Sequence, residues 1–380
     1  MKVRVATFNV ENLMERFDFS GWRNDRRRDR SIALMDVGSE AQFKALEQAR
    51  VVVHADDTRQ MTALALAECR ADIVCLQEVE NLTALEAFER NYLYRMTGIS
   101  YPQKVWEQGN DGRGIDVALM ARETNANGDP IIIKRVKSHR GGTFKSFGVH
   151  TERLNEMGLE AADRVFRRDC LEVDLTVGGQ WLTIFVCHFK SMGPFRDGMA
   201  GRDYTMPVRL AEATSVRRII EQKFHGERGK DMRWLVCGDL NDYGERLAVT
   251  GDRIAGLEFE LHGEEVFGAS PLLEGGFSEN LVARRGGHDR WTLYHASGAS
   301  LGLDQPSNRE TRHLVQLDYI LASPKLAADN VGAVPDIIRA GQPYRTPFPP
   351  GQDIERYPRT GWDRPKASDH CPVAVTLELV

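Results

Sequence analysis

The chain has 380 residues, of which 42% are hydrophobic and 28% charged, and a formal net charge of −5. That balance is ordinary for a folded globular protein; it excludes a disordered or collagen-like chain, and no stretch approaches the roughly 18 consecutive apolar residues of a membrane span. The negative total excludes a molecule that is basic all over, although Arg23, Arg26, Arg27, Arg28 and Arg30 fall within eight positions, a local patch able to meet phosphates.

Lys2–Val10 reads as a strand ending at Asn9. Asn9, Glu11 and Asn12 interrupt any secretory core there, which places the chain, as it stands, in the cytoplasm. Phe17 to about Asp57 is polar and Arg-rich and reads as an insertion. Gln60–Arg70 carries Met61, Leu64, Ala65 and Cys69 at helical spacing, and Ala71–Gln77 is a buried strand ending in Glu78. Thr83-x-x-Glu86 is a capping box opening a helix with Leu85, Phe88, Tyr92 and Met96 on its apolar face. Gly114–Ala121 and Ile131–Val136 read as strands. Cys170–Val177 and Trp181–His188 flank Gly178-Gly179, a hairpin signature. Pro207 suits the first position of a helix running to about Phe224. Trp234–Gly238, ending in Asp239, and Val315–Ala322, with Asp318 inside it, are further strands. Val373–Val380 closes the fold just after Asp369 and His370.

Helix and strand signals run the full length, with no repeats and no long linker. This predicts one α/β domain spanning 1–380, with insertions near 17–57, 286–312 and 340–366. Loops of that length usually carry function. Trp291, Tyr357 and Trp362 lie in them and suit either packing or stacking on a base. The six cysteines are far apart with no C-x-x-C pair, so they read as small buried hydrophobes in a reducing compartment.

The acidic and amide residues form a pattern. Asn9, Glu78, and Asp239 with Asn241 follow apolar strands, Asp369 precedes one, and Asp318 lies within one. Buried carboxylates without partners are expensive, so the set points to a shared positive charge. Hard oxygen donors favour Mg²⁺ or Mn²⁺ over zinc. His188 ends a strand and His370 sits beside Asp369; imidazoles titrate near neutrality and suit proton transfer. Asp116, inside an apolar run, reads as a partner for Arg113 or a histidine, or as half of a structural ion pair.

Thr7-Phe8-Asn9-Val10-Glu11-Asn12, Leu76-Gln77-Glu78-Val79, Gly238-Asp239-Leu240-Asn241-Asp242, Leu317-Asp318-Tyr319-Ile320 and Ser368-Asp369-His370-Cys371-Pro372, in that order, resemble the endonuclease/exonuclease/phosphatase superfamily, in its deoxyribonuclease I-like form. Cys187-His188-Phe189-Lys190-Ser191 is similar to bacterial members. The resemblance implies a four-layer α/β sandwich, with two packed, mainly antiparallel sheets flanked by helices and the site at one edge. It implies phosphoester hydrolysis by one-step in-line attack of water with a divalent metal. By matching positions, Glu78 would be the principal metal ligand, with Asn9 and Asp369 beside it. Asp239 would position or activate the water, and Asn241 would hold a phosphate oxygen. His370 would act as base or phosphate contact, its ring oriented by Asp318, and His188 as general acid or phosphate ligand. Arg113 and Lys190 would contact substrate phosphates. The expected substrate is nucleic acid. The alternative is a small-molecule or phospholipid phosphatase or phosphodiesterase of the same superfamily, its cleft narrowed by the insertions. The sequence carries no signal of oligomeric state.

Overall fold

The structure, a computed structural model, describes residues 1–14, 39–40, 56–193, 198–296 and 312–380. Most of the insertion expected at 17–57, its arginines included, and the segment 297–311 of the second insertion lie outside the described residues. In chain order the elements are β1 (Lys2–Leu13), α1 (Asp56–Cys69), β2 (Ile73–Val79), α2 (Leu82–Phe88), β3 (Gln103–Trp106), β4 (Asp116–Ala121), β5 (Ile131–Ser138), α3 (Glu152–Glu156), β6 (Cys170–Val177), β7 (Gln180–His188) and α4 (Gly201–Lys223). Then follow β8 (Trp234–Asp239), β9 (Glu245–Asp252), β10 (Gly256–Gly263), β11 (Glu279–Asn280), β12 (Leu293–Ala296), β13 (Arg312–Val315), β14 (Asp318–Ala322), α5 (Pro324–Asp329), β15 (Asp336–Ile337) and β16 (Val373–Glu378).

Two six-stranded sheets, ordered β15-β16-β1-β2-β4-β3 and β11-β14-β8-β7-β6-β5, pack face to face. Period-two alternation sorts their side chains. Val3, Val5, Ile73 and Cys75 meet Val173, Leu175, Ile184, Leu235 and Cys237 between the sheets. Ala6, Phe8, Val74 and Leu76 face α1 and α2 on one outer side. Phe185, Trp234 and Val236 face α4 on the other. These are the four layers expected.

The two sheets share a plan. In each, the third pair along the order is parallel, β1 with β2 and β8 with β7, and its neighbours are antiparallel. A parallel pair needs a crossover and brings two C-terminal ends to one edge. The α1 crossover therefore delivers Asn9 beside Gln77 and Glu78, and the α4 crossover delivers His188 directly opposite Asp239. Gly238 makes the second pairing feasible: its φ is +151°, and a Cβ there would lie 1.9 Å from the Cys187 carbonyl oxygen. At the opposite edge Gly178 (φ +54°) and Gly179 (φ +86°) close the β6–β7 hairpin in the left-handed geometry that such a turn requires.

Four features depart from the sequence reading. The predicted strand 315–322 is two strands in different sheets. Thr292 Oγ1 accepts the N–H groups of Leu317 (3.0 Å) and Asp318 (3.2 Å), so the chain changes sheet there without orphaned donors. A third sheet, β10-β9-β13-β12, was not anticipated; its strands are short or half exposed and lack a strong alternating pattern. Pro207 lies inside α4 rather than at its start. Thr205 and Met206 are buried and Arg202 Nε binds Asp242 at 2.7 Å, which draws another turn onto the core upstream of the proline. Finally, Asn81 caps α2 by accepting the Ala84 N–H (2.7 Å), in place of the Thr83 capping box. All six cysteines are buried free thiols, as expected.

Candidate active site

Asn9 joins the two sheets at the edge where both parallel pairs end. Its Nδ2 donates to Asp239 Oδ2 (3.0 Å) and Glu78 Oε1 (3.3 Å), and its Oδ1 accepts the Glu11 N–H (3.1 Å). Glu78 is the extra residue of a bulge, since Gln77 pairs with Val117 and Val79 with Asp116. Its φ is +67°, and Glu11 (+49°) and Asn12 (+63°) share that left-handed conformation. A non-glycine residue held there is strained, and strain of this kind gathers at functional sites. The result aims the Glu78 carboxylate back across β1, where Oε2 accepts the Asn12 N–H at 3.0 Å.

Asp239 is the hub. Its Oδ1 accepts the Asn241 N–H (2.8 Å), and its Oδ2 accepts the side-chain amides of Asn9 and Asn241, both at 3.0 Å. Two imidazoles approach the same Oδ2: His188 Nε2 at 3.5 Å and His370 Nε2 at 3.7 Å. Asp318 stands opposite Asp239 in the β14–β8 register, and its Oδ2 holds His370 Nδ1 at 2.8 Å. That bond fixes the imidazole with Nε2 toward Asp239.

The electrostatics follow from this packing. Burial would lower the pKa of His370, but the nearby Asp318, Asp239 and Asp369 override it and raise it well above the ordinary value. Burial, then Arg168 and His370, push His188 well below it. Burial, with Asp318 adding to it against the pull of His370, lifts Asp239 to about 7. Burial and Asp369 raise Glu78. Asp369 itself is held at about 2: burial works against its charge, but Lys366, His370 and Arg364 outweigh it. Asp318 Oδ1 and His188 Nδ1 are buried without a hydrogen-bond partner.

The sequence-predicted residues Asn9, Glu78, His188, Asp239, Asn241, Asp318, Asp369 and His370 therefore meet at one edge. Arg113 and Lys190 lie beside them rather than among them. Arg113 is clasped by Asp111 (2.8 and 3.0 Å) with over half its side chain exposed, and Lys190 Nζ donates to Ser191 O at 3.1 Å. Asp116 takes none of the roles expected of it. Its Oδ1 has no partner, and burial lifts its carboxyl to about 7 against a hydrogen bond from the Gly109 N–H.

Four residues escaped the sequence reading. Buried Arg168 donates Nη1 to Phe189 O (2.9 Å) and places Nε 3.1 Å from Asp111 Oδ2. Glu11 pairs with Arg364 and Lys366 and accepts the Asp369 N–H at 3.1 Å. On α4, Glu212 accepts the N–H groups of Arg167 (3.0 Å) and Lys190 (2.7 Å), while Arg209 binds Asp242 (3.1 Å) next to Asn241. Helix α4 thus fixes both loops that flank His188. Only the apolar context of Glu212 and Arg209 could have signalled this, because a polar helical residue otherwise reads as solvated.

Among the described residues no three His, Cys, Asp or Glu side chains converge closely enough to enclose an ion. The donor chemistry still fits a hard cation that keeps most of its waters. Glu78 and Asp369 are carboxylates whose charges oppose each other, and burial together with Asp369 outweighs His370 and Arg168 at Glu78, a balance that a bound cation would restore. Glu78 would hold it, with Asp369 and Asn9 beside it.

A model of the Endonuclease/Exonuclease/phosphatase family matches residues 6–370. The chain belongs to that family. It is accordingly a metal-dependent phosphoester hydrolase. No curated protein matches it in sequence. Among solved structures, SmcL is 17% identical with a TM-score of 0.50, covering 99% of both chains. Truncated TDP2 from Caenorhabditis elegans is 12% identical (TM-score 0.47; 99% of this chain and 98% of that one). The human Nocturnin catalytic domain with bound sulfate anion is 13% identical (TM-score 0.47; 100% and 95%). The likeness to SmcL is one of fold. No helix among the described residues is long and apolar enough to cross a membrane.

Proposed function

We propose that the chain is a phosphodiesterase that cleaves nucleic acid with Mg²⁺ or Mn²⁺, by one-step in-line attack of water. The observation that carries this reading is the convergence of two imidazoles on one buried carboxylate, Asp239, with Asn241 and Asn9 as fixed donors. The ion, when bound, supplies positive charge to the phosphoryl oxygen and the leaving alkoxide. Asp239 orients the attacking water and draws on its proton. The opposed surroundings of the two histidines divide their work. His370, kept cationic against Asp318, faces the charge that grows on the phosphoryl group or gives a proton to the leaving oxygen. His188, kept neutral, is free to accept one. From the sequence, His188 read as general acid or phosphate ligand; this proposal gives it the part of acceptor. Asn241 is held at φ +51°, with its side-chain amide donating to Asp239 Oδ2 (3.0 Å) and Phe189 O (3.1 Å), and it meets a phosphate oxygen by exchanging one of those two bonds.

A polymeric substrate is supported by cations on one side of the cluster. Arg113, over half exposed, and half-buried Lys190 both act on His188 and provide for phosphates flanking the scissile one, while buried Arg168 adds its charge from inside. A hydrolysis panel with Mg²⁺ or Mn²⁺ tests the reading: plasmid, single-stranded DNA and RNA beside bis-p-nitrophenyl phosphate, a phosphomonoester, sphingomyelin and inositol phosphates. Cleavage of a polynucleotide, weakened steeply by salt, is expected. Activity confined to monoesters or to the lipid would overturn it.

A further inference from the structure

The long loop leading to Asp369 carries a surface that the catalytic cluster does not use. Tyr344 and Trp362 are 48% and 61% exposed. Backbone bonds from Tyr344 N–H to Gly361 O (3.0 Å) and from Arg345 N–H to Trp362 O (2.8 Å) hold their segments side by side. Arg253, from the turn between β9 and β10, reaches across to them. Its guanidinium lies 4.8 Å from the Trp362 ring centre, and its Nη2 donates to Tyr344 O at 2.6 Å. Arg356 lies 4.8 Å over Tyr344 and 4.3 Å over Phe348. Trp362 with Arg253 and Tyr344 with Arg356 thus form two ring–guanidinium stacks, joined by the bond from Arg253 to the Tyr344 carbonyl.

This strip is tied to the catalytic edge twice. Trp362 is two residues from Arg364, which pairs with Glu11, whose Oε2 accepts the Asp369 N–H. Arg356 Nε donates to Gln342 O (3.0 Å), and the buried Gln342 donates Nε2 to the carbonyls of Ser368 (3.2 Å) and His370 (3.1 Å). From Trp362 to Asp369 the chain spans at most about 25 Å.

We propose that the strip is a stacking subsite for unpaired nucleobases of the strand that flanks the scissile phosphodiester, and that the enzyme prefers single strands. The proposal rests on the nucleic-acid reading above and adds the form of the substrate to it. An unpaired base offers a flat π face that both an aromatic ring and a guanidinium stack on, whereas a duplex hides those faces. Charge alone does not explain the surface. Asp363 binds Arg345 at 2.8 Å, and Asp353 and Glu355 lie in the same loop, so the strip selects ring faces rather than phosphates.

The test compares wild type, Trp362→Ala and Tyr344→Ala, with Trp181→Ala as the control, since Trp181 is 55% exposed at the opposite end of β7 from His188. Substrates are a mixed-sequence single strand (deoxyribose and ribose arms), its blunt duplex, and bis-p-nitrophenyl phosphate. The ratio of kcat/KM on the single strand to that on the small diester is expected to fall about tenfold in each strip variant, through KM. The preference for single strand over duplex should shrink with it, and Trp181→Ala should keep the wild-type ratio. The ratio is internal to each variant, so a smaller folded fraction cancels. An unchanged ratio in both strip variants overturns the subsite and leaves the nuclease reading standing. A wild type that hydrolyses the small diester but no polynucleotide overturns both.

Discussion

Glu172 on β6 and Asp239 at the end of β8 are carboxylates buried in the same sheet, yet their surroundings are built in opposite ways. Around Glu172 the charges answer one another: His139 Nε2 and Lys223 Nζ each lie 2.8 Å away and Arg135 Nη2 3.6 Å, while Lys223 also binds Asp174 at 2.8 Å. Burial works against the Glu172 charge, but His139 and Lys223 hold its carboxyl at about 2. Around Asp239, burial wins and the carboxyl rises to about 7, with Glu78 raised as well and buried polar atoms on Asp318 and His188 left without partners. One cluster is complete and holds the fold. In the other, burial and neighbouring carboxylates outweigh what His370 and Arg168 supply, which is the condition in which a metal ion binds. A buried charge alone therefore does not mark a site; an unanswered one does.

Breaking each cluster should separate activity from stability. Asp239→Asn is expected to lower kcat by about 10³-fold or more, because in the proposed mechanism Asp239 is the hub of proton transfer and positioning together. Circular dichroism should show the fold retained. Glu172→Ala should do the reverse. Leaving Lys223 and His139 without their buried partner costs about 3–5 kcal/mol in urea unfolding, with kcat per folded molecule unchanged. The sign of its pH dependence is fixed by the depressed folded pKa. The stabilisation is fully present above the ordinary value of 4.5 and is lost as pH falls through about 2, so wild type and variant should converge over that window.

Asp318→Asn keeps the shape but not the charge that orients and protonates His370. A fall in kcat on the order of 10²-fold is expected, together with a shift of the acidic and basic limbs of the pH–rate profile; an unshifted profile would sever Asp318 from the imidazole. The smallest effect belongs to Asp116, raised to about 7 by burial. A raised carboxyl loses stability as pH climbs from 3.8 through about 7, so Asp116→Asn should gain on the order of 1 kcal/mol at pH 8 and nothing at pH 4.

Much of this was legible in the sequence, for identifiable reasons. Strands such as Ile73–Val79 and Trp234–Asp239 are continuous apolar runs, because parallel strands covered on both faces need no polar side. The residues at their ends stand out against that background, which is how Glu78, Asp239 and His188 were found. The left-handed bulge that aims Glu78 leaves no such trace, since its φ of +67° falls on a residue type that rarely adopts it. Arg209 and Glu212 are fully buried on a helix whose polar residues otherwise read as a solvent face. Arg168 sits in a loop, and nothing in Arg167-Arg168-Asp169 tells which arginine turns inward. The break between β13 and β14 depends on Thr292, distant in sequence, and no local pattern announces it.

The central claim is that the unanswered charge around Glu78 and Asp239 is the seat of a metal-dependent cleavage of nucleic acid. The most direct measurement is the initial rate of oligonucleotide cleavage against Mg²⁺ concentration for wild type and Glu78→Gln, starting from EDTA-stripped protein. The account predicts no cleavage without metal, saturable recovery in wild type, and a loss of about 10³-fold or a large shift of the metal midpoint in the variant. Cleavage that persists in EDTA, or a Glu78→Gln titration that overlays wild type, would contradict it.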